Sequence, residues 1–310
     1  MPEQGWIMTD RDARQQEYWS ADGLMPEVAA SIVGYTARSP RPALHRGVPS
    51  PHLTLVITLD QPVVTGWSVE DAFGTTPTRF DIATAGLHVT PAYIRQPQEQ
   101  SGIQIALHLP AARSILGVRA SELCSGTYEG VDVVGREIGR LRARLIDTPD
   151  WPTRFDLVRQ FLRHRADRAE GRPRTRAELA EAWAWLGRHR GTGRIAGLAD
   201  HVMLSERQLH SLFTAEFGIG PKRFNRLLRF QRAKRLIGYG AGHGEVDLAG
   251  IAADCGYADQ SHLTREFRSF VGIGPTRWVD QEYGGMVPGG MVPDESAETF
   301  YRRPRVDRHS

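Results

Sequence analysis

The chain has 310 residues, a length that allows about two domains and more than one core. Apolar residues make up 40% and charged residues 24%, an ordinary globular balance that excludes a wholly disordered chain, and no apolar run approaches the ~20 residues of a membrane helix. The net charge of +3 is unevenly spread: residues 189–284 hold 13 Lys+Arg against 10 Asp+Glu, and the rest of the chain holds 26 of each.

Residues 1–30 mix turn and helix formers without periodicity, and their polar start carries no secretory signal. Residues 52–60 are rich in β-branched side chains and bounded by Pro51 and Pro62, which predicts a strand. Residues 63–65, 80–83, 87–90, 92–94 and 102–109 follow as short strand segments separated by Gly and Pro, predicting a small antiparallel sandwich or barrel. After Pro110 the period becomes helical. Residues 111–116 read as a short helix. Val134, Ile138, Leu141 and Leu145 mark one amphipathic face, Phe155, Val158, Phe161 and Leu162 a second, and Leu179, Trp183 and Leu186 a third. Residues 165–176, with Gly171 and Pro173, read as a flexible joint. The tail from Gly284 repeats Gly-Gly-Met-Val-Pro and is expected to be disordered. Cys124 and Cys255 are the two cysteines and lie far apart, so no disulfide framework or cysteine-based zinc site is expected; the reading is a reduced, cytoplasmic protein. Cys124 reads as a small apolar filler.

Residues 195–278 contain an internal repeat. At an offset of 54 residues, Leu209 matches Leu263, Phe213 matches Phe267, Gly-Ile-Gly-Pro recurs at 218–221 and 272–275, and Arg223 matches Arg277. Leu198-Ala199 pairs with Ile251-Ala252 at an offset of 53. Such self-similarity marks a duplicated unit. Each copy reads as a short apolar helix (195–202; 248–255), a tight turn and a second helix. Ser205 and Gln208 fit a capping box. Asp259 can cap the other copy, and Gly218 and Gly272 sit where a helix ends. Leu209, Leu212 and Phe213 form one inward face, Leu263, Phe267 and Phe270 the other, and Trp278 reads as core. The opposite faces are polar: Arg207, His210, Ser211 and Thr214; Gln260, Ser261, Thr264, Arg265 and Arg268. This is the pattern of a helix-turn-helix, whose second helix enters the DNA major groove.

Residues 221–237 join the copies. Phe224, Leu227, Phe230, Ala233 and Ile237 fit an inward face. Lys222, Arg223, Arg226, Arg229, Arg232, Lys234 and Arg235 form a basic run fit to face outward, with no acid between Phe217 and Gly244. Such a run usually means a solvated helix face and is also what a phosphate-binding surface needs. A helix of about 16 residues spans roughly 24 Å, a suitable spacer for two reading helices in successive major grooves about 34 Å apart.

The segment Gly256-Tyr-Ala-Asp-Gln-Ser-His-Leu-Thr-Arg-Glu-Phe-Arg268, followed by Gly272-Ile-Gly-Pro275, resembles the signature of the AraC/XylS family of bacterial transcription regulators. Residues 204–213 with Gly218 and Pro221 are similar to that family's first helix-turn-helix, and residues 229–237 to its linker helix. The resemblance implies a seven-helix, two-headed DNA-binding domain that controls transcription beside RNA polymerase, usually as an activator and sometimes as a repressor. It places base reading on Arg207, His210 and Ser211 in one helix and on Gln260, Ser261 and Arg265 in the other. Arg is the natural partner of guanine and Gln of adenine. Ser211 also fits a role as a merely small residue, Arg207 as a surface charge, and Arg265 as a phosphate contact. Ser205, Lys222, Arg223, Arg226, Arg268 and Arg277 are the candidates for DNA phosphate.

The fold expected is α+β: a small β-rich unit over 1–130, helices over 131–188 that offer a dimer surface, an all-α DNA-binding domain over 189–284, and a tail over 285–310. By analogy with the family's architecture, the N-terminal unit binds a small effector, dimerises, or both. The partners expected are double-stranded DNA, RNA polymerase, an effector and a second copy, and no membrane. His45, His52, His88 and His108 form no close-spaced ligand set with a carboxylate, so no metal and no cofactor are expected. The sequence holds no nucleophile elbow, phosphate loop or dinucleotide fingerprint, so no catalytic residue is assigned. The alternative is a cupin-like enzyme or sensor domain fused to a DNA-binding unit.

Overall fold

The computed structural model describes residues 6–9, 15–21, 25–39, 42–75, 77–124, 126–169 and 174–283. The expected disordered tail, and Gly171 and Pro173 of the expected joint, lie outside the described residues.

The N-terminal half is built on two antiparallel sheets. Their strands are β1 (Trp6–Thr9), β2 (Gln15–Ser20), β3 (Ala29–Arg38), β4 (Ala43–Gly47), β5 (Leu53–Thr58), β6 (Val63–Gly66), β7 (Thr78–Phe80), β8 (Ile82–Ala85), β9 (Ala92–Gln96), β10 (Glu99–Leu107) and β11 (Thr127–Glu129). One sheet has the order β1-β2-β3-β10-β5-β8-β11 and the other β4-β9-β6-β7. Alternation fixes the register. Leu53, Leu55 and Ile57 of β5 lie opposite Leu107, Ile105 and Ile103 of β10, and all six are fully buried. A one-residue slip would turn this whole set to the other face.

Two expectations are corrected here. The described residues among 1–30 are not helical: apart from a turn at 26–28 they supply β1, β2 and the start of β3, which pairs along its length with β10. Residues 87–90 are not a strand. The ladder stops before Gly86, whose backbone runs so close to the Leu123 carbonyl that a Cβ would lie 1.6 Å from its oxygen. Leu87 is nevertheless buried, so its hydrophobicity reports packing rather than pairing.

The helices are α1 (Val69–Phe73), α2 (Ala112–Ile115), α3 (Gly130–Val134), α4 (Arg136–Asp147), α5 (Trp151–Arg168), α6 (Ala177–Arg188), α7 (Ile195–His201), α8 (Glu206–Phe217), α9 (Pro221–Gly242), α10 (Leu248–Asp254), α11 (Gln260–Val271) and α12 (Pro275–Tyr283). α4 and α5 turn Ile138, Leu141, Leu145, Phe155, Val158 and Leu162 inward. The Trp151 indole stacks on Trp19 at 4.5 Å and lies against Gly34 of β3, where a Cβ would meet the ring at 2.3 Å. The first part of the expected joint is helical and held. Arg165 donates to the Ile115 carbonyl at 2.8 Å, and Arg165 and Arg168 both pair with Glu137.

α6 to α12 form the helical C-terminal half. Much of its core is continuous with that of the β-rich half: Leu53, Ile103, Leu162, Leu186, Phe213 and Phe267 belong to one buried cluster, while Ala233, Ala252, Cys255, Tyr257 and Leu263 form a second. No helix among the described residues is long and apolar enough to cross a membrane.

Candidate nucleic-acid interface

The two expected bihelical units are α7–α8 and α10–α11. Each second helix starts at a side-chain cap. Ser205 accepts from the Gln208 N–H at 3.2 Å while the Gln208 side chain accepts from the Ser205 N–H at 3.1 Å, a complete capping box. Asp259 accepts from the His262 N–H at 2.7 Å. His262 takes part in a different way, its Nδ1 accepting from the Ala258 N–H at 3.4 Å. Both helices end at a left-handed glycine, Gly218 (φ 77°) and Gly272 (φ 80°), which closes the last turn.

The caps fix where each helix starts, and its apolar period sets which side faces solvent. Leu209 and Phe213 of α8, and Leu263, Phe267, Phe270 and Val271 of α11, are buried. Arg207, His210 and Ser211 are exposed on α8, and Gln260, Ser261 and Arg265 are exposed on α11. All six expected reading residues therefore sit on solvent-facing sides, three on each helix. The His210 ring lies beside Gly220 at the start of α9, where a Cβ would meet it at 2.6 Å.

The phosphate candidates divide. Lys222, Arg223, Arg268 and Arg277 are exposed. Ser205 is exposed but its hydroxyl serves the cap. Arg226 is used internally, its Nε donating to Glu266 at 2.8 Å and its guanidinium lying 5.7 Å from the Phe270 ring centre. The basic run of α9 does not all face outward. Arg229 turns to Glu266 at 3.9 Å and lies over the Tyr257 ring at 5.4 Å, and Arg232 donates to the Asp254 carbonyl at 2.7 Å. α9 also runs on to Gly242, giving 22 residues and a rod of about 33 Å at 1.5 Å per residue.

Glu266 and Glu216 are the groups that sequence reasoning passed over. Glu266 accepts from Tyr257 at 3.0 Å as well as from Arg226; burial and then the Glu266 carboxylate push the Tyr257 phenol up. Glu216, in the last turn of α8, accepts two bonds from Arg113 of α2 at 2.6 and 2.8 Å and one from Thr175 at 3.1 Å. The hydrogen bond to Glu216 holds the Arg113 guanidinium above its ordinary value. The signal was present: a Glu stands on the apolar stripe of each helix, three residues after Phe213 and three after Leu263.

Two solvent-facing helix surfaces, each on a capped second helix and joined by a long basic helix, define a double helix-turn-helix unit. Residues 198–281 match a family model described as a helix-turn-helix domain. The match supports reading this region as a helix-turn-helix unit. Among curated relatives, the HTH-type transcriptional activator RhaS of Escherichia fergusonii is 33% identical over 107 residues, 34% of this chain and 37% of the relative. The protein of the same name from Citrobacter koseri is 30% identical over 126 residues, 40% of this chain and 44% of the relative. The chain thus spans less than half the length of these relatives. Among solved structures, ToxT from Vibrio cholerae aligns with a TM-score of 0.45 at 10% identity, over 81% of this chain and 97% of that one. The DNA-binding domain of AdpA in complex with a target DNA aligns with a TM-score of 0.31 at 23% identity, over 34% of this chain and 94% of that one.

Proposed function

We propose that the chain is a sequence-specific double-stranded-DNA-binding regulator of transcription, a binder rather than an enzyme. The observation that carries this reading is the exposure of both polar triads, Arg207–His210–Ser211 and Gln260–Ser261–Arg265, on the second helices of a duplicated unit. In this reading Arg207 and Arg265 take guanine and Gln260 takes adenine through paired hydrogen bonds in the major groove. Lys222, Arg223, Arg268 and Arg277 take phosphate, which supplies affinity without sequence preference. RNA polymerase is the partner through which binding changes transcription.

The N-terminal half is proposed as the effector-sensing unit. A cavity of about 540 Å³, lined by Thr65, Trp67, Glu70, Asp71, Thr78 and Phe80 among others, supports this, being in the size range of small-molecule sites. α4 and α5 are proposed as a dimer surface through their outer, polar sides, since their apolar sides are turned inward.

Selection from a random DNA pool tests the central reading. The chain is expected to enrich one sequence, and Arg265→Ala to lose about 1–3 kcal/mol on it while relaxing preference at one base pair. Equal affinity for the enriched and a scrambled sequence would refute it.

A further inference from the structure

Each reading helix carries a glutamate on its buried side. Glu216 continues the stripe Leu209–Phe213 of α8, and Glu266 lies within the stripe Leu263–Phe267–Phe270 of α11. A carboxylate removed from water needs a cation and hydrogen-bond donors around it. Both have them, from different parts of the molecule. Glu266 is held by Arg226 and Arg229 of α9 and by Tyr257, all within the helical half. Glu216 is held by the two-pronged Arg113 of α2 and by Thr175. The repeat does not relate the two: at the 54-residue offset, Glu216 falls on Phe270 and Glu266 on Leu212.

Two further bonds seat the same end of α8 on the N-terminal half. The last carbonyls of a helix lack partners within it. Here Ser121 donates to the Ala215 carbonyl at 2.8 Å, and the Cys124 thiol to the Phe217 carbonyl at 3.6 Å. Gly218 presses on Cys124 so closely that a Cβ would lie 1.9 Å from its sulfur. The proposed reading residues Arg207, His210 and Ser211 lie in its N-terminal half.

We infer that Arg113 and Glu216 are positioning residues for one half of the DNA site: the N-terminal unit seats the first reading helix, and the linker helix seats the second through Glu266. This rests on the proposed DNA reading. A helix is stiff over these lengths, so a shift of its C-terminal seat moves Arg207, His210 and Ser211, and base recognition depends on placement to about 0.5 Å. Loosening the Arg113–Glu216 contact therefore weakens reading by α8 and leaves the Glu266 seat of α11 in place.

The test uses the full chain and the DNA it selects from a random pool. R207A and R265A first identify which half of that DNA each helix reads. Scrambled halves are then measured against Glu216→Gln, which keeps shape and leaves no buried anion, against Arg113→Lys, which keeps charge but not the fork, and against Glu266→Gln. E216Q is expected to lose affinity on the order of tenfold, and scrambling the α8 half is then expected to cost it little, while scrambling the α11 half costs as much as in the wild type. R113K is expected to fall between, and E266Q to show the reverse pattern. A merely structural role lowers both halves together. Equal losses from both halves, or wild-type penalties at both in E216Q and R113K, would overturn the inference while leaving the DNA reading standing. A wild-type chain that selects no sequence would overturn both.

Discussion

Met203 sits in the turn between α7 and α8 with φ 55° and is 90% exposed. The corresponding residue of the second copy, 53 positions on, is Gly256 with φ 72°. The left-handed conformation costs a residue with a Cβ roughly 1–2 kcal/mol, partly offset by the greater freedom glycine loses on folding. Met203→Gly is expected to stabilise the chain by about 0.5–1 kcal/mol, read as a raised denaturation midpoint; a lowered midpoint would show that the Met side chain supports the turn. His108 gives a second prediction. It is fully buried between His52, 5.1 Å away, and Trp183, 4.7 Å away, and burial, then His52, hold its pKa well below the ordinary 6.5. The unfolded chain takes up this proton below about pH 6.5 and the folded chain does not. The stability it supports is therefore present above that pH and lost as the pH falls below it. Melting temperature is expected to drop between about pH 7.5 and pH 5, and to drop less in His108→Leu; an equal drop in both would place the effect elsewhere.

At the scale of elements, α9 separates exposed charge from charge that holds a buried carboxylate. Arg223 is exposed and Arg229 faces Glu266. Arg223→Ala is expected to reduce the slope of log affinity against log salt by about one, with stability unchanged. Arg229→Ala is expected to leave that slope alone and to lower the denaturation midpoint, because Glu266 loses a partner. Both are measured by salt titration of DNA binding beside thermal melts, and the opposite assignment of the two effects would contradict the structure. The bihelical units were legible in sequence because their signals are local: a 3.6-residue period, Ser205 or Asp259 at the start, and a glycine at the end. The sheet was less so. β3 is set by pairing with β10, some 65 residues away in sequence, and neither strand alone marks its partner. The same holds for the site. The solvent-facing sides of α8 and α11 could be placed from their period, whereas the partner of Glu216 is Arg113, 103 residues distant, and no spacing rule connects them.

At the scale of the molecule, the β-rich and helical halves share a buried cluster, and the N-terminal half grips the C-terminal end of α8. Docking as seen here leaves Arg207, His210 and Ser211 exposed. Methylation interference at guanine N7 on the selected DNA tests the proposed DNA reading most directly. The account predicts two clusters of interfering guanines in the major groove, about one helical turn apart and on one face of the duplex. A single cluster, or two clusters offset by half a turn, would contradict it.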